Sequence, residues 1–224
     1  MERKEIFNRI KYKTKKEWLQ LRIKGIGGSD ASSILGLNPY KSNLELWKEK
    51  TLETSDKKTF SNETKAIIEY GTKAEAPLRE LFNLTYKGVY KAVETQELLQ
   101  SKEYPFMLAS LDGEITELET GRKGVYEGKT ARLMSGVQFN NWKDKVPDNY
   151  YIQVLWYLLV TGYDFAIINA ELRTDFDEEI KYQRKIYKIE RKEVKEDIEY
   201  LKKEAIKFWD YVERKIEPPL KISF

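Results

Sequence analysis

The stretches Ser110-Leu111-Asp112-Gly113-Glu114 and Tyr126-Glu127-Gly128-Lys129-Thr130 decide how this chain reads. In a strand, residues i and i+2 point to the same face, so the second stretch projects Glu127 and Lys129 together. If Asp112 ends a neighbouring strand, two carboxylates can share a divalent cation, with an ammonium beside them to position a water or help remove its proton. Read alone, Glu-x-Lys equally describes a surface ion pair, and Asp112-Gly113 an ordinary turn. Context favours a site: both carboxylates end otherwise apolar strands, where an uncompensated charge is costly to desolvate and a cation supplies the compensation.

Working outward, residues 89–99, 106–115 and 124–130 read as three strands, the last two joined by Gly121-Arg122-Lys123-Gly124, and suggest an antiparallel meander. On the amino-terminal side, Thr14 and Glu17 form a capping box for a helix that ends at Gly25. Ser29 or Asp30 then caps a second helix through Leu35, and a third covers 42–50. Residues 51–63 read as a polar, mobile loop. A longer helix over 63–84 places Ile67, Ile68, Ala74, Leu78, Leu81 and Phe82 along one side, with Pro77 as a kink or boundary. Beyond the meander come helices over 135–142 and 149–160, the second stopped by Thr161-Gly162, and strands over 165–172 and 182–189. A last helix over about 191–215 repeats Val194, Ile198, Leu201, Phe208 and Val212. That spacing suits a coiled-coil seam or a helix packed on its own domain. The pattern predicts one α/β (α+β) domain over 1–224, a central mixed sheet flanked by helices.

Composition narrows the chemistry. The 224 residues contain no Cys and no His, which excludes disulfides, thiolate catalysis, iron–sulfur clusters, His-based triads and histidine metal ligands. Carboxylates remain as ligands for a hard cation. The apolar run over 152–160 is far shorter than the ~20 residues of a membrane span, and no secretory h-region opens the chain, so no membrane association and an intracellular location are expected. A formal net charge of +3 is weakly basic, but nine Lys and Arg fall between Arg3 and Lys24 against Glu5 and Glu17. That cluster suits phosphates or a solvated face equally.

The segments Arg22-Ile-Lys-Gly-Ile-Gly-Gly-Ser29-Asp30, Leu35-Gly-Leu-Asn-Pro-Tyr40, Gly71-Thr-Lys-Ala-Glu75, Ser110-Leu-Asp-Gly-Glu, Glu127-Gly-Lys129 and Tyr150-Tyr-Ile-Gln153 occur in this order. Together they resemble the YqaJ-like viral recombinase and lambda exonuclease family of the PD-(D/E)xK nuclease superfamily, over about Trp18 to Gly162. The resemblance implies a restriction-endonuclease-like nuclease core. It also implies Mg2+ (or Mn2+), two ions per site, held by Asp112, Glu127 and the Gly128 carbonyl, with Lys129 acting on the attacking water. Glu75 and Gln153 match helical residues expected near the metals. Arg22 and Ser29 match an arginine and a serine that hold a terminal 5′-phosphate, in a helical DNA-end-binding segment over about 1–50. A guanidinium fork with a hydroxyl and free helix-start amides suits that ligand. Seen without the family, the same two residues are a glycine-rich turn beside a surface arginine.

The function implied is a 5′ to 3′ exonuclease acting on double-stranded DNA ends and leaving a single-stranded 3′ overhang for phage-type recombination. A homotrimer, a single-strand annealing partner and a cytoplasmic location, in the host if the gene is phage-borne, come with it. The alternatives are a restriction-type endonuclease on the same core and a catalytically silent DNA-binding module. Lys73, Arg79, Arg122, Lys123, Arg132, Lys143 and Lys145 are further candidates for phosphate contact, none singled out. Trp47, Trp142, Tyr150 and Tyr151 suit base stacking or core packing.

Overall fold

The structure is a computed structural model and describes residues 5–52, 61–174 and 180–221. In chain order its elements are β1 (Phe7–Lys11), α1 (Lys15–Ile23), α2 (Gly28–Ile34), α3 (Asn43–Thr51), α4 (Asn62–Thr85), β2 (Tyr90–Val93), β3 (Glu97–Ser101), β4 (Leu108–Ala109) and β5 (Gly113–Glu117). Then follow β6 (Lys123–Leu133), α5 (Gly136–Asn141), α6 (Asp148–Thr161), β7 (Phe165–Thr174), β8 (Lys181–Glu190) and α7 (Lys195–Glu213). Five strands form a mixed sheet in the order β2-β5-β6-β7-β8, with β6 and β7 parallel and the other pairs antiparallel. A second, antiparallel sheet has the order β1-β3-β4.

Strand alternation builds a core on each face of the large sheet. Val125 of β6 and Ala166, Ile168, Ala170 and Leu172 of β7 pack with Ile26, Ile34, Val154, Trp156 and Leu158 on one side. Tyr126, Phe165 and Ile167 turn the other way, onto Phe82, Ala92 and Ile115. Central strands buried on both faces read as nearly continuous apolar runs, as 165–172 does. α7 buries Ile198, Leu201, Ala205, Phe208 and Val212 against α2, α3 and α6, so its apolar stripe is spent within its own domain.

The expected meander is only half present. β2, β5 and β6 are antiparallel neighbours, but 89–99 breaks at residues 94–96 and 106–115 breaks at residues 110–112. The detached halves, β3 and β4, join β1 instead. Both breaks line the same cleft, through Glu94, Gln96, Ser110 and Asp112. β1 itself, hidden in the basic segment, buries only Phe7 and so lacks a period-two signature.

Three helix details differ from expectation. α2 is capped by Gly27, and neither Ser29 nor Asp30 is the cap; Asp30 lies one turn in and accepts the Gly27 N–H at 3.2 Å. α4 runs through Pro77, so proline is not its boundary. Of α4's apolar side, only Leu78 and Phe82 are buried, because the first half of the helix overhangs the cleft with Ile67 and Ile68 half exposed. The loop expected over 51–63 lies, for residues 53–60, outside the described residues.

Candidate active site

β5 begins at Gly113, opposite Tyr126, so the β6 backbone beyond that point has no strand partner on this edge. Asp112 fills the gap: its Oδ2 accepts the Gly128 N–H at 2.9 Å. Gly113 is required next to it, since a Cβ there would lie 2.7 Å from the Val93 carbonyl oxygen across the β2–β5 pair. Glu127 shares the face of Val125, toward α6, and is 1% exposed. Its Oε1 accepts from Gln153 Nε2 at 2.7 Å and from Lys129 Nζ at 2.5 Å. Its Oε2 is buried and has no hydrogen-bond partner among the described residues. Lys129 also lies 5.0 Å over the Tyr150 ring, which helps hold its ammonium in place.

The three carboxylates here are destabilised as anions. Burial, reinforced by Asp112, pushes Glu127 up to about 8 against the pull of Lys129. Glu75, on α4 across the cleft, is pushed up to about 7 by burial and by Asp112. Asp112 is raised by burial, with Lys129 and the Gly128 N–H opposing. Burial works against the Lys129 charge, yet Glu127 and Asp112 overcome it and hold the ammonium above its ordinary value. Desolvated carboxylates with a specific charge partner in a cleft make this a candidate functional site.

A divalent cation fits this donor set. The orphaned Glu127 Oε2 and the raised carboxylates both lack the positive charge that an ion at Asp112, Glu127 and the Gly128 carbonyl would bring. Among the described residues, however, no three acidic side chains gather closely enough to form a metal cluster by themselves, so a main-chain or water ligand is needed. Glu75 lines the same cleft of about 800 Å³ without joining that group.

Arg22 and Ser29 line the cleft as well. Arg22 Nη2 donates to Ser29 Oγ at 2.8 Å and to Asp30 Oδ2 at 3.3 Å, and its guanidinium lies 4.9 Å from the centre of the Trp18 ring. Trp18 is held in turn by Ser110, whose Oγ accepts from the indole at 2.9 Å. Asp30 is 5% exposed and also meets Lys50 at 3.2 Å and Lys41 at 3.4 Å. Three cations therefore converge on one buried carboxylate, and Lys41 also pairs with Glu49 at 2.6 Å. Burial would raise Asp30, but Lys50, Arg22 and Lys41 hold it well below the usual carboxylate range.

All the expected site residues, Glu75, Asp112, Glu127, Gly128, Lys129, Gln153, Arg22 and Ser29, thus line one cleft. The wider candidates scatter. Arg79 alone of them lines the cleft, where it donates to the Asp112 carbonyl at 3.0 Å. Arg122 pairs with Glu190 and lines a separate cavity, Lys73 pairs with Glu69 on the α4 surface, and Lys123 donates to Thr116. Of the four candidate aromatics, Tyr150 alone lines the cleft; Trp142 is buried, the Trp47 indole donates to the Tyr211 carbonyl, and Tyr151 donates to Asp197. Sequence reading missed Asp30, Lys41, Lys50 and Tyr157. An acidic residue directly after Ser29 was the available signal for the first; the others became visible only once α2, α3 and α6 packed together.

Comparison with solved structures places the architecture among exonuclease-like folds. The chain superposes on an alkaline exonuclease (LHK-Exo) from Laribacter hongkongensis with a TM-score of 0.60 and 16% identity, covering 90% of this chain and 94% of that one. The same protein in complex with dAMP gives 0.62 at 18% identity and the same coverage. A phage related exonuclease from Haemophilus somnus 129PT gives 0.55 at 16%, covering 86% and 96%. At the sequence level, residues 17–164 match the YqaJ-like viral recombinase domain, and the chain belongs to that family. It is 34% identical over 164 residues to the uncharacterized protein YqaJ of Bacillus subtilis (strain 168), covering 73% of this chain and 47% of that protein. The chain spans about half the length of that relative. Among the described residues no helix is long and apolar enough to cross a membrane.

Proposed function

We propose that this protein is a divalent-metal-dependent exonuclease that degrades one strand of double-stranded DNA from its 5′ end. The observation that carries this reading is the buried Glu127, whose Oε2 has no partner among the described residues while Lys129 and Gln153 hold Oε1 and Asp112 stands beside it. A buried carboxylate oxygen without a donor is costly, and a cation would supply the missing compensation.

Asp112, Glu127 and the Gly128 carbonyl would hold Mg2+ or Mn2+, and Glu75 is the carboxylate available to a second ion. When bound, the metal supplies Lewis-acid stabilisation of phosphoryl charge and lowers the pKa of water. The chain's residues do the rest. Lys129 orients the attacking water and offsets negative charge developing on the phosphate. Gln153 fixes the Glu127 rotamer, leaving Oε2 for the ion. Arg22 and Ser29 take the terminal 5′-phosphate in the same cleft, which sets polarity. The complex of LHK-Exo with dAMP is consistent with a fold that accommodates a nucleotide. A 3′ overhang for recombination with a single-strand annealing partner, a trimeric assembly and a cytoplasmic location extend the same proposal.

Polarity is tested on a linear duplex labelled at either the 5′ or the 3′ end of one strand, in Mg2+. Immediate release of the 5′ label as mononucleotide, with the 3′ label lost only late, supports the reading. The reverse order overturns the polarity, and internal fragments from both substrates would favour an endonuclease.

A further inference from the structure

Tyr157 lies between the two halves of the cleft and neither half accounts for it. On α6, one turn after Gln153, it lines the cleft while being only 4% exposed. Its ring is seated against α2 so closely that a Cβ on Gly28 would lie 2.4 Å from Tyr157 Cε1 and 3.0 Å from its hydroxyl. The residue after Gly28 is Ser29 of the Arg22 pocket. On the opposite side the hydroxyl accepts from Gln153 Nε2 at 2.9 Å, the same nitrogen that donates to Glu127. That contact uses an oxygen lone pair, and among the described residues no acceptor exists for the Tyr157 O–H itself. Because Tyr157 lines the cleft, its proton is free for an acceptor that enters there. Glu127, Asp112 and Arg22 all act on Tyr157 electrostatically. Burial, with the two carboxylates, raises its pKa well above the ordinary tyrosine value, so the phenol stays a donor throughout the working pH range.

We infer that the Tyr157 hydroxyl donates to the terminal 5′-phosphate of the DNA, as a third donor beside Arg22 and Ser29, and so ties end recognition to the Gln153–Glu127 side of the site. This rests on the proposed 5′-end reading. A phosphate oxygen supplies the acceptor that the hydroxyl lacks, and the packing on Gly28 fixes the phenol without help from the ligand. Through Gln153, a correctly seated end is then in hydrogen-bonded contact with the metal-binding carboxylate.

The test compares wild type, Tyr157→Phe and Arg22→Ala. Phenylalanine keeps the ring against Gly28, and thermal melting checks that the fold is intact. Binding of 5′-phosphorylated and 5′-hydroxyl linear duplexes is measured by fluorescence anisotropy without divalent ions, and Mn2+ affinity by calorimetry. The expected result for Tyr157→Phe is an approximately ten-fold loss of the phosphate preference, in keeping with one hydrogen bond to a charged group, without loss of Mn2+ affinity. Full preference in Tyr157→Phe, with the preference abolished in Arg22→Ala, overturns the inference and leaves the end pocket standing. Equal weakening for both DNA ends with reduced Mn2+ affinity also overturns it, because Tyr157 would then act only by supporting Gln153. A wild type without any preference removes the pocket and the inference together.

Discussion

Lys129 Nζ sits 2.5 Å from Glu127 Oε1, two residues away on the same face of β6, and both are drawn inward under α6 rather than out to solvent. Such a pair, once buried, is weak evidence for stability and stronger evidence for a task, since desolvation offsets much of the attraction. Lys129→Ala is expected to lose turnover by about 10²- to 10⁴-fold, the range associated with a positioned acid–base group, with a much smaller effect on metal affinity. Single-turnover rates on a linear duplex measure this. Wild-type rates would reduce Lys129 to a structural cation.

The carboxylates should behave differently. Asp112→Asn and Glu127→Gln each replace an anionic oxygen with an amide that binds a hard cation poorly, so Mn2+ affinity and nuclease activity should fall together while circular dichroism stays native. Calorimetric titration of Mn2+ into both variants distinguishes the cases. Undiminished Mn2+ binding in either one would remove that residue from the metal site.

End recognition predicts a ratio rather than a rate. Wild-type protein should digest 5′-phosphorylated duplex faster than 5′-hydroxyl duplex at fixed salt, and Arg22→Ala should erase the difference. A charge-assisted contact of roughly 1.5 to 3 kcal/mol corresponds to one to two powers of ten. Ser29→Ala, losing a neutral donor, should do less. A preference that survives Arg22→Ala would show the phosphate to be held elsewhere.

Asp30 gives a stability prediction with a defined pH dependence. A carboxylate held low in the folded state stabilises the fold above its unfolded pKa of roughly 3.9, and that stabilisation is lost as pH falls through the lower folded value. Asp30→Asn leaves Lys50 buried without its counter-charge, which costs about 3 to 5 kcal/mol at pH 7. The gap to wild type should narrow progressively below about pH 4. Urea unfolding at pH 7 and at pH 3 reads both quantities, and a gap that is equal at the two values would contradict the buried-cluster account.

Much of this site was legible in one dimension because strand parity is strict: Glu127 and Lys129 had to share a face. The start of α1 followed from Thr14 and the end of α6 from Gly162, whose cap geometry is local. Strand partnership is not local. Nothing within 89–99 or 106–115 says that the chain leaves one sheet for another, because the cause is a cleft formed by Glu94, Ser110 and Asp112 with residues far away in sequence. Tyr157 reads as core in an apolar helix. Its second identity depends on Gly28, which reaches it only when α2 packs on α6.

The most direct measurement of the central claim is mononucleotide release from a blunt linear duplex and from a covalently closed circular duplex, run side by side in Mg2+ and in EDTA. An exonuclease built on Asp112 and Glu127 should consume the linear duplex in Mg2+, leave the closed circle intact, and do nothing in EDTA or as Asp112→Asn. Cleavage of the closed circle, digestion that persists in EDTA, or wild-type activity in Asp112→Asn would each contradict it.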